Sequence, residues 1–268
     1  MHTSIRKTSV AGLFYPSSCK DVLSDIKKFN TKFKYINIPN DLQNVTPRAI
    51  LVPHAGYKYS GFTANMAYRF VKIKKDTRII VIGPSHKHYF KGISASYYDK
   101  FETPCGDINI DSAYLFALAK ELNICFEPKA HKNEHSTEVQ MPFIKHYFNN
   151  TKVIELIYGD VEVKELSKII YVLLQNPDNI LIISSDLSHF HTLEVAKSHD
   201  NVCLKGIALL DVKQLENRCE ACGLIGIKAL VEVAKKERLS SKLLDYKTSA
   251  DANGNKKSVV GYLSAIFY

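Results

Sequence analysis

The side chains best able to carry chemistry in this chain sit just past runs of apolar residues. His54 follows Ala49-Ile50-Leu51-Val52, His86 follows the run Thr77–Ile82, and Asp186 and His189 follow Asn179–Ser184. Continuous, β-branched runs of this kind read as buried parallel strands. Polar groups delivered at the carboxyl ends of such strands lie where open α/β sheets place their ligands. His135 and Glu138, in a polar stretch, and Cys222, ahead of a helical segment, join the set. Two imidazoles with a thiolate or carboxylate suit a divalent transition ion that keeps an open coordination position. A helix start at Cys222 would favour its thiolate, whereas the competing reading makes Cys222 a small core residue. A closed structural zinc site would want close-spaced ligand pairs. These candidates are spread along the chain, so the fold must assemble them.

The elements that would position them alternate between strand and helix. Ser9–Pro16 reads as a loop, Ser17 or Ser18 as a cap for a helix over 20–29, and 30–46 as a loop. A helix is expected at Phe62–Val71, with Gly56 allowing a tight turn between His54 and that helix. Ile93–Tyr97 and Lys152–Tyr158 read as strands, and Phe101–Asp107 as a turn into a short strand. Ser112–Glu121, Val163–Leu174, Leu193–Leu210 and Gly223–Lys236 read as helices. His131–Glu138 reads as a loop in which Ser136 or Thr137 caps a helix towards Phe148. Lys242–Ser249 and Ser258–Phe267 read as strands joined by a hairpin-type turn at Asp251–Asn255. This alternation predicts a layered α/β fold, a mixed and largely parallel sheet flanked by helices, with one domain spanning 1–268.

Composition narrows the function classes. No apolar run reaches the roughly 20 residues of a membrane span, and no apolar segment follows Met1–Lys7 as a secretory signal would require. A cytoplasmic protein without a membrane partner is therefore expected. The net charge of +9 comes from scattered lysines without a basic helix or nucleic-acid-binding motif, which argues against a nucleic-acid partner. In a cytoplasmic chain the six cysteines should be mostly reduced. Cys219 and Cys222 form a lone CxxC, with no second pair to complete a four-cysteine zinc site. His88 and His191 are each two residues from a stronger candidate and read as supporting or exposed groups. His2, His131, His146 and His199 read as surface residues.

Several motifs, in order along the chain, resemble the Memo family, whose prokaryotic members are called AmmeMemoRadiSam system protein B. They are Ala11-Gly12-Leu13-Phe14-Tyr15-Pro16, His54-Ala55-Gly56-Tyr57 with Ser60-Gly61, Gly83-Pro84-Ser85-His86, Glu134–Phe143, Ser184–His189, Cys222-Gly223 and Ser258–Tyr262. The resemblance implies a fold similar to the class III extradiol dioxygenases, whose non-haem iron is held by two histidines and a glutamate. In the Memo pattern the metal ligands are two histidines and a cysteine, which fall on His54, His86 and Cys222. The family's site Asp and His fall on Asp186 and His189, with His135 as a further candidate catalytic residue in the cleft. These assignments imply an oxidoreductase using Fe2+ or copper rather than zinc, with His189 as general acid/base oriented by Asp186. Two alternatives stand beside it: a non-catalytic module binding a peptide or small ligand in the same cleft, and a zinc hydrolase with Glu138 or His189 as base. The resemblance also implies radical-SAM and AMMECR-type pathway partners, and eukaryotic members are described as motility signalling proteins that bind phosphotyrosine peptides.

Overall fold

A computed structural model describes residues 4–36 and 40–268, so His2 lies outside the described residues. In chain order the strands are β1 (Ile5–Arg6), β2 (Ala49–Val52), β3 (Arg78–Pro84), β4 (Ile93–Ala95), β5 (Lys100–Phe101) and β6 (Ile108–Asn109). They continue as β7 (Lys152–Tyr158), β8 (Asn179–Ser184), β9 (His189–His191), β10 (Ser241–Thr248) and β11 (Val259–Phe267). The main sheet has the order β10-β11-β2-β8-β3-β7-β4, with β9 paired to β11. β2, β8, β3 and β7 run parallel, while β4, β10 and β11 are antiparallel to their neighbours. The sheet is thus mixed, with a parallel centre and antiparallel margins. β1, β5 and β6 form a separate small sheet.

The central strands are apolar throughout because both faces are covered. Every residue of β2 and β8 is buried, as is β3 from Ile79 onward. Helix Val163–Gln175 packs against helix Leu224–Lys236, which rests on β3 and β8, while helix Phe62–Tyr68 packs on β2, β10 and β11. The registers Val52↔Ser184 and Ile82↔Ile183 make β2, β8 and β3 end level with one another. Three neighbouring parallel strands therefore release their chains on one edge. That topology brings His54, His86 and Asp186 together.

Several boundaries differ from the sequence reading. The first helix runs Cys19–Phe33, with Ser18 Oγ accepting the Asp21 N–H. The loop expected at 131–138 holds two short helices, Pro128–Lys132 and His135–Glu138, and the Glu134 carboxylate, rather than Ser136 or Thr137, caps the second by accepting the Ser136 N–H. The connection before β11 is a helical turn, Ala250–Asn253, closed by Gly254 at φ 74°. Gly56 has φ −58°, which any residue adopts. A Cβ there would lie 3.4 Å from the Phe14 carbonyl oxygen, an ordinary contact, so neither the backbone nor the space demands the glycine that the tight-turn reading expected. That oxygen accepts the Tyr57 N–H at 2.7 Å, docking the Ser9–Pro16 loop against the turn after His54.

The cysteines are not mostly reduced. Cys19–Cys105 and Cys203–Cys219 are disulfides, leaving Cys125 and Cys222 free. Cys219 is thus paired outside the CxxC, which removes that motif as a redox pair. Cys203 and Cys219 are 16 residues apart, and a loop of that size contributes about 3 kcal/mol in the chain-entropy account. Cys203→Ala should therefore lower the denaturation midpoint under oxidising conditions, and added reductant should erase the difference from wild type. Equal midpoints under both conditions would contradict the brace.

Candidate metal centre

His54 is 1% exposed, and its environment fixes its tautomer. The Ser184 hydroxyl donates its single hydrogen to the Ser136 carbonyl (2.6 Å) and accepts the Gln140 amide N–H (2.9 Å). The Gln140 amide is itself oriented, donating to the Pro53 carbonyl and accepting from the Tyr68 hydroxyl. One lone pair then remains on Ser184 Oγ for His54 Nδ1 at 3.0 Å, so Nδ1 must be the protonated nitrogen. His54 Nε2, with its lone pair free, faces Cys222 Sγ at 3.2 Å.

His86 is set by the same logic. Its Nδ1 lies 2.9 Å from Glu134 Oε1, and its backbone N–H also donates to that carboxylate. Burial alone would raise the Glu134 carboxyl, but the hydrogen bonds and charge of His86 and the Ser136 N–H outweigh it and hold it at about 2. An ionised carboxylate only accepts, so Nδ1 of His86 donates to it, and Nε2 is the nitrogen left to ligate an ion. One ligand atom each from His54, His86 and Cys222 lie within 4.8 Å of one another. A single ion between them is within reach of all three at ligand distances of about 2.0–2.3 Å after small side-chain adjustments.

Cys222 is positioned from the neighbouring strand end. The Asp186 N–H donates to its sulfur at 3.3 Å, and the Gly223 N–H donates to Ser185 Oγ at 2.9 Å. The helix start does not give a ready thiolate: burial and then the Asp186 charge push the thiol up to about 12. A bound divalent cation would reverse that balance by displacing the proton. A Cβ on Gly223 would sit 2.5 Å from Ser185 Cβ and 3.0 Å from the Ser184 carbonyl oxygen. Gly223→Ala should therefore displace the Cys222 loop and cost about 1–3 kcal/mol, read by thermal denaturation; an unchanged melting curve would contradict this packing.

The other candidates take up different places. The His135 ring lies 4.4 Å from His86 and 5.4 Å from His54, centroid to centroid, with the Phe14 ring 5.0 Å away. His135 Nδ1 is buried without a hydrogen bond, although Glu134 Oε1 is 3.3 Å away. Burial brings its pKa down to about 4 despite the attraction of Glu134. Burial and then the imidazoles of His86, His135 and His189 push His54 well below the usual histidine range. Burial thus favours neutral His54 and His135 rings.

Asp186 does not orient His189. Its Oδ1 accepts the backbone N–H groups of His54 (2.8 Å) and Ala55 (3.3 Å), and no hydrogen bond joins it to His189 among the described residues. Asp186 is spent on bracing the turn that carries His54. Burial, only partly offset by those two N–H groups, brings its carboxyl to about 7. His189 lines a shallow depression of about 400 Å³ together with Cys222, Leu187 and Glu220. A larger cavity of about 750 Å³, lined by Lys91, Ile124 and Ile169 among others, lies away from the histidine cluster.

Glu138 is no free base. It is fully buried and paired with Arg6, and its carboxylate also accepts from Ser9, Val10 and Tyr15. Arg6 further donates to the carbonyls of His131 (3.1 Å), Lys7 (2.8 Å) and Glu134 (2.7 Å), so it holds the segment bearing Glu134 and His135. His131 is buried rather than on the surface, with Nδ1 2.9 Å from Glu155 Oε2 and Nε2 2.9 Å from Ser94 Oγ. A lone Glu155 within the apolar strand Lys152–Tyr158 was the signal for such a partner. His199 is half-buried against Glu220, which also bonds His191, whereas His146 is exposed. Glu134, Ser184, Gln140 and Arg6 are the functional positions that sequence reasoning left without roles.

The fold and cluster define an α/β protein with a His/His/Cys group at the carboxyl edge of parallel strands. The family model for Memo-like proteins matches residues 6–266, and the chain belongs to that family. A MEMO1 family protein of Aquifex aeolicus is 31% identical over 98% of this chain and 99% of its own length. One from Sulfurisphaera tokodaii is 34% identical with the same coverage. Among solved structures, uncharacterized protein JW3007 from Escherichia coli K12 superposes with a TM-score of 0.52 at 12% identity, covering 83% of this chain and all of that one. That likeness concerns the fold alone.

Proposed function

We propose that this chain binds one Fe2+ or copper ion through His54 Nε2, His86 Nε2 and Cys222 Sγ, and serves as a metal-dependent oxidoreductase on a dioxygenase-like fold. The observation that carries the reading is the fixing of both imidazole tautomers by Ser184 and Glu134, which aims two lone pairs and one sulfur at a common point. The donor set fits: nitrogen and soft sulfur suit iron or copper, and three protein ligands leave a position open for a small molecule. When bound, the ion would supply redox chemistry and Lewis acidity. The residues around it bind, orient and move protons. Ser184 and Glu134 hold the ligand rings, Asp186 holds the His54 turn, and His135 and His189 are the imidazoles available for proton transfer beside the cluster.

A second reading, a module that binds an apolar ligand or peptide at the same place, is favoured by one feature. Leu13 is 80% exposed beside Phe14, and Phe190 is 78% exposed beside His189, with Phe190 at φ 64°. Two large apolar side chains held out to solvent, one next in sequence to Phe14 and the other packed 5.6 Å from His189, suit a ligand with an apolar face. Metal analysis of protein purified without added metal, followed by anaerobic titration and oxygen-uptake assays, tests the first reading. Iron or copper at this site, lost in His86→Ala, is the expected outcome. Binding unchanged in both His54→Ala and His86→Ala would overturn it.

A further inference from the structure

The other end of the same two segments carries a second convergence of ligand-type atoms. His191 Nε2 lies 2.6 Å from Glu220 Oε2, and His199 Nδ1 lies 3.1 Å from Glu220 Oε1. The two imidazoles stack with centroids 5.1 Å apart and planes 3° from parallel, so both present an edge to one carboxylate. One ligand atom from each residue falls within 4.8 Å of the others, and all three side chains are half-buried. His199 Nδ1 also donates to the Arg218 carbonyl at 3.2 Å, so an ion held here would take the place of the protons that now join the imidazoles to Glu220 and that carbonyl. Among the described residues no lysine or arginine pairs with Glu220, although the chain carries an excess of nine positive charges. Its only partners there are two imidazoles.

We infer that His191, His199 and Glu220 form a second site for a divalent first-row transition ion, separate from the His54/His86/Cys222 cluster. Two imidazole nitrogens and a carboxylate oxygen are the donor set of zinc, nickel, cobalt or copper(II), and exclude the all-oxygen preference of magnesium and calcium. The site is held in advance by a covalent bond. His199 and Cys203 are one turn apart on helix Leu193–Ala208, and Cys203 is bonded to Cys219, the residue before Glu220. The disulfide therefore links the two elements that bring His199 and Glu220 together. An ion here would also tie down the segments carrying His189 and Cys222, because His191 follows the first by two residues and Glu220 precedes the second by two.

Equilibrium dialysis of the intact chain against Zn2+ under oxidising conditions tests this. Wild type should bind two ions per chain, and Glu220→Gln and His199→Ala should each bind one. The Glu220→Gln change keeps the side-chain shape, so circular dichroism should show a folded protein. Where a residual second ion persists in that variant, its affinity should be at least about 10-fold weaker. His86→Ala should lose the other ion and retain the one held by Glu220, which separates failure of this site from failure of the His54/His86/Cys222 reading. A wild-type stoichiometry and affinity that neither Glu220→Gln nor His199→Ala alters would overturn the inference, leaving the three residues as a hydrogen-bonded cluster only.

Discussion

Arg6→Met should lower the free energy of unfolding by about 3–5 kcal/mol, the range for removing one partner of a buried ion pair. Both side chains of the Arg6–Glu138 pair are fully buried, so the variant leaves a carboxylate without its cation in the interior. It also strands the carbonyls of His131 and Glu134, which Arg6 holds, and the guanidinium packing over the Phe101 ring, 4.6 Å from its centroid. The Ser9, Val10 and Tyr15 donors remain on Glu138, which sets the low end of the range. Urea titration reads the loss. Arg6→Met combined with Glu138→Gln should recover part of it, because the orphaned charge is gone. An Arg6→Met midpoint close to wild type would contradict the role assigned to this pair.

Ser184→Ala should weaken metal binding at the His54/His86/Cys222 cluster by about 10–100-fold, the usual cost of losing a group that orients a ligand. Ser184 Oγ is the acceptor that keeps the proton on His54 Nδ1. Without it the ring can take the other tautomer, with its N–H pointed at Cys222 and no lone pair for an ion. The change also unpairs the Gln140 amide and the Ser136 carbonyl, so about 1–3 kcal/mol of stability should go with it. Affinity measured by anaerobic competition with a chromophoric chelator decides the matter. Equal affinities for Ser184→Ala and wild type would mean that the tautomer is set elsewhere.

The parallel centre of the sheet was legible because its strands are buried on both faces and leave unbroken apolar runs. Sequence reading marked β2, β3 and β8 as buried parallel strands carrying polar residues past their ends; the sheet order, with β8 between β2 and β3, is what makes His54, His86 and Asp186 meet. Cys222 was harder. It comes from a loop ahead of a helix, where a thiolate ligand and a small core residue were competing readings, and the motif resemblance decided between them. What sequence reading could not supply were long-range pairings. Arg6 finds Glu138 across 132 residues, and Ser184 finds His54 across 130. Glu155, alone inside an apolar strand, signals that a buried partner must exist, but nothing local says that the partner is His131. The two disulfides were missed because the expected compartment argued for thiols, and spacing does not show which sulfurs the fold brings together.

The most direct test of the proposed metal centre is X-ray absorption on protein loaded anaerobically with less than one equivalent of Fe2+ or Cu+. The account predicts a sulfur scatterer at about 2.3 Å together with imidazole nitrogens, and loss of the sulfur shell in Cys222→Ser. A spectrum with only nitrogen and oxygen neighbours, the same in wild type and Cys222→Ser, would contradict it.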